Sequence, residues 1–428
     1  MKNLILLAAL AAGSLVQAQF TIAVEAPASF RPKEAILYSL NGSKDIIVSK
    51  EMRMNTGWSF KMPQRYTGMM KIYFPETNTS FNFISENSNI NVKLDATAGK
   101  VTNVIYHDES NKLMEKVQDQ QKKKDLIFPA LVQIKDYYRD DSEFGKALNR
   151  EIGEISRINT VDPAKNPFVS YYNTNYNKFL VEQPTGAAPS QTEIAAFIEN
   201  SGDMLETSSL LRPLLVNYMN AGGNANVDAS VDALLKRLNV ETPRGQTVMS
   251  ELIDIFDIYA MTALKEKYLT QAKNLKCTIN DRLAATIKAN KNVELGAVFP
   301  NHTFRSPSNT KAKNLHEIKA DRKIVVFWSS TCSHCEAELP KLLEKYTEMK
   351  AKNIEVIGLS LDTDQAVYSS KVSALPWIND SELRGWNSSY TETYNVHATP
   401  TYFVLDSQNK IIARPDHVSD VLQFLKLK

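Results

Sequence analysis

The stretch that decides the reading is Val325-Val326-Phe327-Trp328-Ser329-Ser330-Thr331-Cys332-Ser333-His334-Cys335-Glu336-Ala337-Glu338-Leu339-Pro340. With Ile324 ahead of it, the stretch opens as a short apolar run, the pattern of a buried strand, and then turns polar at Ser329, Ser330 and Thr331. Cys332 and Cys335 follow at Cys-x-x-Cys spacing, after which Leu339, Leu342, Leu343 and Tyr346 recur at helical intervals. Two cysteines therefore stand where a strand hands over to a helix. The first turn of a helix has unpaired backbone N–H groups and the positive end of the macrodipole. A thiolate there is stabilised, so its pKa falls from about 8.5 into a range of roughly 3.5–7.5. The second sulfur faces the same turn and can close a small disulfide. This predicts a thiol–disulfide exchange site.

Other uses of such a pair fit less well. Half of a zinc site needs a second Cys pair or a His-x-His partner, and the chain has neither. Haem attachment needs His directly after the second Cys, where Glu336 stands. A static disulfide is the remaining alternative.

The stretch resembles the thioredoxin superfamily, in particular its TlpA/ResA-like extracytoplasmic branch. There a strand ending in Phe-Trp is followed by Cys-x-x-Cys, then Glu three and Pro five residues after the second Cys; here these are Phe327, Trp328, Cys332, Cys335, Glu338 and Pro340. The resemblance runs from roughly Glu294 to the C-terminus, about a third of the chain. The domain opens at Leu295 to Phe304, with Phe299 and Pro300 where the family usually has a small residue and proline. The peroxidase branch is disfavoured, because Val325 and Ser329 replace the Pro and Thr it requires.

The resemblance implies an α/β thioredoxin fold over residues 291–428 and no metal or organic cofactor. It implies Cys332 as attacking thiolate and Cys335 as resolving thiol, the two forming the redox disulfide. Glu338 would handle protons near the sulfurs, a surface helix glutamate being the alternative. His334, in the order Cys-x-His-Cys, resembles the histidine of DsbA-type oxidases that stabilises the thiolate; a solvated histidine is the alternative. Thr399-Pro400, ahead of a β run, matches the cis-proline loop, whose backbone receives an extended substrate. Thr399, Pro400 and Trp328 are the expected substrate-binding residues.

The chain has 428 residues, enough for two or three domains, and a net charge of +2 that suggests no nucleic-acid partner. The N-terminus has one Lys, an apolar run from Leu4 to Val16 and small residues before a cleavage point after Ala18, which reads as a secretory signal peptide over residues 1–18. No Cys follows that point for lipid attachment. Three cysteines are too few for a disulfide scaffold in an exported chain, so the close pair reads as catalytic and Cys277, among apolar neighbours, as a buried inert thiol.

Residues 19–108 alternate with period two, as in Phe20, Ile22 and Val24 or Trp58, Phe60 and Met62, with turns at Asn41-Gly42 and Thr67-Gly68. This predicts an antiparallel β-sandwich-like domain, similar to those placed ahead of thioredoxin modules in exported bacterial proteins. Residues 109–290 read as an α-helical domain, with loops at residues 185–190 and 221–224 and one unbroken helical pattern from about Gln246 to Ala272. The β-rich region shows no His, Asp or Glu cluster at metal spacing.

The expected protein is an exported, periplasmic or otherwise extracytoplasmic thiol–disulfide oxidoreductase acting on protein thiols, of reductase type, with a membrane-linked redox partner. The competing expectation is an envelope binding or assembly protein whose first two domains grip a partner and whose redox pair is secondary.

Overall fold

The computed structural model describes residues 20–427 except 98, 158–159, 182–187 and 224–225. The expected signal peptide, and parts of the two expected loops, lie outside the described residues. The described chain divides into two compact units. One holds the residues up to Leu40 and Asp45–Val181; the other holds Asn41–Lys44 and the described residues from 188 onward.

The first unit contains β1 (Phe20–Glu25), β2 (Glu34–Asn41), β3 (Lys44–Met52), β4 (Gly57–Met62), β5 (Thr67–Phe74), β6 (Thr79–Glu86), β7 (Ile90–Thr97) and β8 (Lys100–Tyr106), the β2–β3 turn excepted. These form two four-stranded sheets, ordered β4-β1-β7-β8 and β3-β2-β5-β6. Alternation works here as expected: Phe20, Ile22 and Val24 of β1 and Ile90, Val92 and Leu94 of β7 all enter one core with Trp58, Phe60, Ile72 and Phe74. One expectation is corrected. The sheets are not purely antiparallel, because β1 pairs parallel with β7 while pairing antiparallel with β4.

Four helices follow in this unit: α1 (Glu109–Lys122), α2 (Phe128–Lys135), α3 (Glu143–Ser156) and α4 (Pro167–Phe179). Asp108 caps α1 by accepting from Asn111 N–H. The buried Asn111 amide then pairs with both backbone groups of Ile84 in β6, at 2.7 and 2.9 Å. That satisfies polar groups which burial would otherwise penalise.

The second unit begins with α5 (Gln191–Asn200), α6 (Leu211–Gly222), α7 (Val227–Leu238), α8 (Pro243–Ile258), α9 (Thr262–Lys273) and α10 (Asp281–Asn292). The helical stretch 109–290 is thus shared between the two units. The pattern expected to run unbroken from Gln246 to Ala272 is interrupted: the chain turns at Tyr259–Met261, where Ala260 takes φ 53°. Tyr259, inside that expected helix, is 60% exposed at the turn.

Next come β9 (Arg322–Trp328), α11 (Ser333–Ala351), β10 (Ile354–Ser360), α12 (Gln365–Val372), β11 (Ile378–Ser381), α13 (Ser389–Thr393), β12 (Thr401–Asp406), β13 (Ile411–Ala413) and α14 (Val418–Phe424). The sheet order is β11-β10-β9-β12-β13. β9, β10 and β11 are parallel, and β12 runs antiparallel to both its neighbours. The sheet is covered on both faces, so β9 is apolar at every inward and outward position from Ile324 to Trp328. Val325 and Phe327 pack with α13 residues on one side; Ile324, Val326 and Trp328 pack with α11 and α14 on the other. The C-terminal layout is that of a thioredoxin-like fold.

Among the described residues no helix is long and apolar enough to cross a membrane.

Candidate active site

The parallel strand β9 ends at Trp328, and the loop to α11 is clamped by a single carboxylate. Asp362 Oδ1 accepts from Ser330 N–H at 3.0 Å, from the Ser330 hydroxyl at 2.6 Å and from the Ser329 hydroxyl at 3.1 Å. Asp362 Oδ2 accepts from the Ser360 hydroxyl at 2.6 Å, so the clamp is anchored to β10. This fixes where the helix begins.

Cys332 is the N-cap residue of α11, and its sulfur accepts from Cys335 N–H at 3.3 Å. The Cys332 thiol also donates to the Thr399 carbonyl at 3.2 Å. The Thr399–Pro400 bond, on the loop leading into β12, is cis. Two elements far apart in sequence thus meet at one sulfur. Both cysteines are free thiols, the reduced member of a dithiol–disulfide couple.

The two thiols have opposite environments. Partial burial raises the Cys332 pKa, but hydrogen bonding from Cys335, from Thr399 and from the amides of Cys335 and His334 outweighs it, and the net direction is down. Cys335 is 1% exposed, and burial together with its neighbour's sulfur pushes its pKa up to about 12. The pair therefore has one sulfur prepared to ionise and one prepared to keep its proton.

Glu338 lies one turn further along α11. Its Oε2 accepts from the Tyr402 hydroxyl at 2.9 Å and from Val418 N–H at 3.1 Å, while Oε1 stands 3.3 Å from His417 Nδ1. It makes no hydrogen bond to either sulfur among the described residues. Tyr402 shares the core cluster of Cys335: burial first, then Glu338 and both cysteine sulfurs, raise its pKa. Sequence reasoning used Tyr402 only as part of a β run and missed it as a neighbour of the sulfurs. His334 is exposed, and what it brings to Cys332 is its backbone amide; its ring makes no hydrogen bond among the described residues.

Two expectations are corrected. Trp328 is 0% exposed and packs against Tyr368, so its indole offers no surface to a substrate. Cys277 is not buried but half-exposed, with Gln246 Nε2 at 3.5 Å from its sulfur.

A cleft of about 440 Å³ opens beside the cis bond. Its lining includes His334, Ala337, Glu338, Thr399, Pro400 and Tyr402, together with Asp257, Ile258 and Ala260 of the α8–α9 corner.

Residues 322–411 match the thioredoxin-like family model. Among curated relatives, the thiol–disulfide oxidoreductase ResA of Bacillus thuringiensis is 29% identical over 126 residues, covering 28% of this chain and 68% of that protein. ResA of Oceanobacillus iheyensis is 22% identical over 129 residues, covering 28% and 65%. Among solved structures, the thioredoxin domain of a thiol–disulfide oxidoreductase from Bacteroides vulgatus is 23% identical, with 31% of this chain and 96% of that chain covered and a TM-score of 0.29. A thiol–disulfide oxidoreductase from Bacteroides fragilis is 22% identical, with 31% and 99% covered and a TM-score of 0.26.

Proposed function

From a chain whose C-terminal region is a TlpA/ResA-like member of the thioredoxin superfamily, and which is a thiol–disulfide oxidoreductase, we propose an exported reductase of protein disulfides. The observation that carries this reading is the unequal pair at the head of α11, one sulfur lowered in pKa and in contact with the cis-proline loop, the other buried and protonated.

The Cys332 thiolate attacks one sulfur of a client disulfide. A Cys332–client bond forms, the client S–S bond breaks, and the departing client sulfur leaves as thiolate and takes a proton. Cys335 then loses its proton and attacks Cys332 Sγ. The Cys332–Cys335 disulfide forms, the mixed disulfide breaks, and the second client thiol is released. Two electrons have passed to the client, and a membrane-linked thiol donor returns them. In-line attack by a buried thiol with a pKa near 12 requires help with its proton. We assign that proton to Glu338, one turn further along α11 and hydrogen-bonded to Tyr402. Thr399 and Pro400 hold the client chain; Trp328 supports β9 from the core.

The two β-sheets with α1–α4, and then α5–α10 of the second unit, precede this domain, behind a signal peptide that directs the chain to the periplasm. The reading is tested by reduction of insulin with a dithiol as electron source. The wild-type chain accelerates it and Cys332→Ser does not. Equilibration of the couple with glutathione sets direction: a strongly reducing couple fits a reductase, and a couple held mostly reduced by the glutathione pool would reverse the assigned electron flow.

A further inference from the structure

The cleft beside Pro400 has walls from two parts of the second unit. One wall is the redox domain, through Ala337, Glu338 and Thr399–Tyr402. The other is the α8–α9 corner, through Asp257, Ile258 and Ala260. The corner is an unusual piece of backbone. Ala260 at φ 53° occupies the left-handed region, which a residue with a Cβ rarely adopts. Such a conformation persists only where the surroundings hold it, and it clusters at functional positions.

What holds the corner also holds the loop. Asn395 Nδ2 donates to Asp257 Oδ2 at 2.8 Å, and stands 3.4 Å from Asn290 Oδ1 of α10. Asp257 Oδ1 is paired with Lys265 at 2.6 Å and lies 3.7 Å from Arg414, just beyond β13. One turn back along α8, Asp254 Oδ1 stands 3.8 Å from His397 Nε2, which is itself 3.1 Å from Asn395 Oδ1. Asp257 of α8 therefore holds Asn395, with Asp254 close to His397, and that segment runs directly into Thr399–Pro400. The cleft between the two walls lies within the ~300–1,000 Å³ typical of binding sites, room for a few residues of extended chain. The redox domain contributes the Thr399–Pro400 loop leading into β12, and the corner contributes aliphatic atoms of Ile258 and Ala260 beside Asp257.

We propose that the α8–α9 corner is part of the client-binding site: an extended client segment lies between it and the Thr399–Pro400 loop, so the helical region selects unfolded polypeptide over small disulfides. This rests on the oxidoreductase reading above. Strand addition at Thr399 supplies main-chain hydrogen bonds, and the corner supplies the side-chain pocket that gives such pairing its specificity.

The test compares the full-length chain with Ile258→Glu, which charges the aliphatic wall, and Asn395→Gly, which removes the bridging amide while keeping a residue suited to φ 50°. Second-order rates are measured for oxidised insulin and for the small aromatic disulfide DTNB. Binding of fluorescein-labelled, carboxymethylated insulin B chain, which has no disulfide, is measured by anisotropy. The expected result is an insulin-to-DTNB rate ratio at least fivefold lower in both variants, and peptide binding at least fivefold weaker. An unchanged ratio and unchanged peptide binding in a folded Asn395→Gly protein overturn the proposal. If the wild-type chain binds the peptide but reduces neither disulfide, the oxidoreductase reading falls and the groove stands. If it reduces insulin and the variants match it, the groove falls and the reading stands.

Discussion

Cys332 and Cys335 share a helix turn, yet one caps it and the other is inside it. The cap sulfur receives the amide of Cys335, and the inner sulfur is sealed among Val326, Trp328, Leu339 and Tyr402. Absorbance titration of thiolate in the reduced chain, with Cys277 replaced by Ser, is therefore expected to show one thiol ionising below the ordinary range of about 8.5 and one only near 12. Two overlapping titrations near the ordinary value would contradict the asymmetry. Glu338→Gln keeps an acceptor for Tyr402 and Val418 but removes the base. Release of a preformed mixed disulfide is expected to slow about 100-fold, the scale of lost general-base help, with little change in its formation. Stopped-flow release kinetics check this. At this scale the cysteines and the Thr-Pro pair were legible because their spacing has a chemical cause. Trp328 was misjudged because an all-apolar strand has no alternation to tell a binding face from a core face. Tyr402, Asn395 and His397 escaped because contacts across dozens of residues leave no local pattern.

Elements carried the reading where hydrophobic period and turn chemistry agree, as along β1, β7, β9 and α11. Two features broke it. The parallel β1–β7 pair joins strands far apart in sequence, which the hairpin-based reading could not see. The α8–α9 break has neither glycine nor proline to announce it, since the left-handed residue is Ala260. The fit of β10 gives a sharp test. A Cβ on Gly358 would lie 2.4 Å from Asn379 Oδ1 and 2.9 Å from Trp328 Nε1, atoms fixed in the core. Gly358→Ala is expected to destabilise the protein by about 1–3 kcal/mol, the usual cost of overpacking. A shifted urea midpoint would show it, and an unchanged midpoint would mean that this part of the core gives way.

At the scale of the molecule, the second unit is organised on a buried cluster of charges. Arg282 pairs with Glu251 at 2.9 Å and Asp254 at 2.7 Å, all three buried, and Arg212 joins them at 2.9 and 3.3 Å. Removing one member leaves uncompensated charge inside, so Arg282→Leu is expected to cost about 3–5 kcal/mol in urea unfolding at neutral pH. A near-neutral result would show that water reaches the cluster. The same cluster sets the response to acid. Burial opposes ionisation of Asp254, but Arg282, His397, Lys44 and Arg212 prevail and hold its pKa at about 2. An aspartate pKa lowered in the folded state stabilises above the unfolded value of about 3.9, and that stability is lost as pH falls toward 2. Burial lowers the His397 pKa, so the unfolded chain takes up a proton first and stability declines as pH drops below about 6.5. Melting temperature is thus expected to fall gently from pH 6.5 and steeply between about 4 and 2. The most direct test of the central claim is trapping. A Cys277→Ser, Cys335→Ser chain is mixed with oxidised insulin, and the adduct is mapped by mass spectrometry. The account predicts a stable mixed disulfide on Cys332 that a dithiol releases. No adduct, from a folded protein whose Cys332 still alkylates readily, would contradict it.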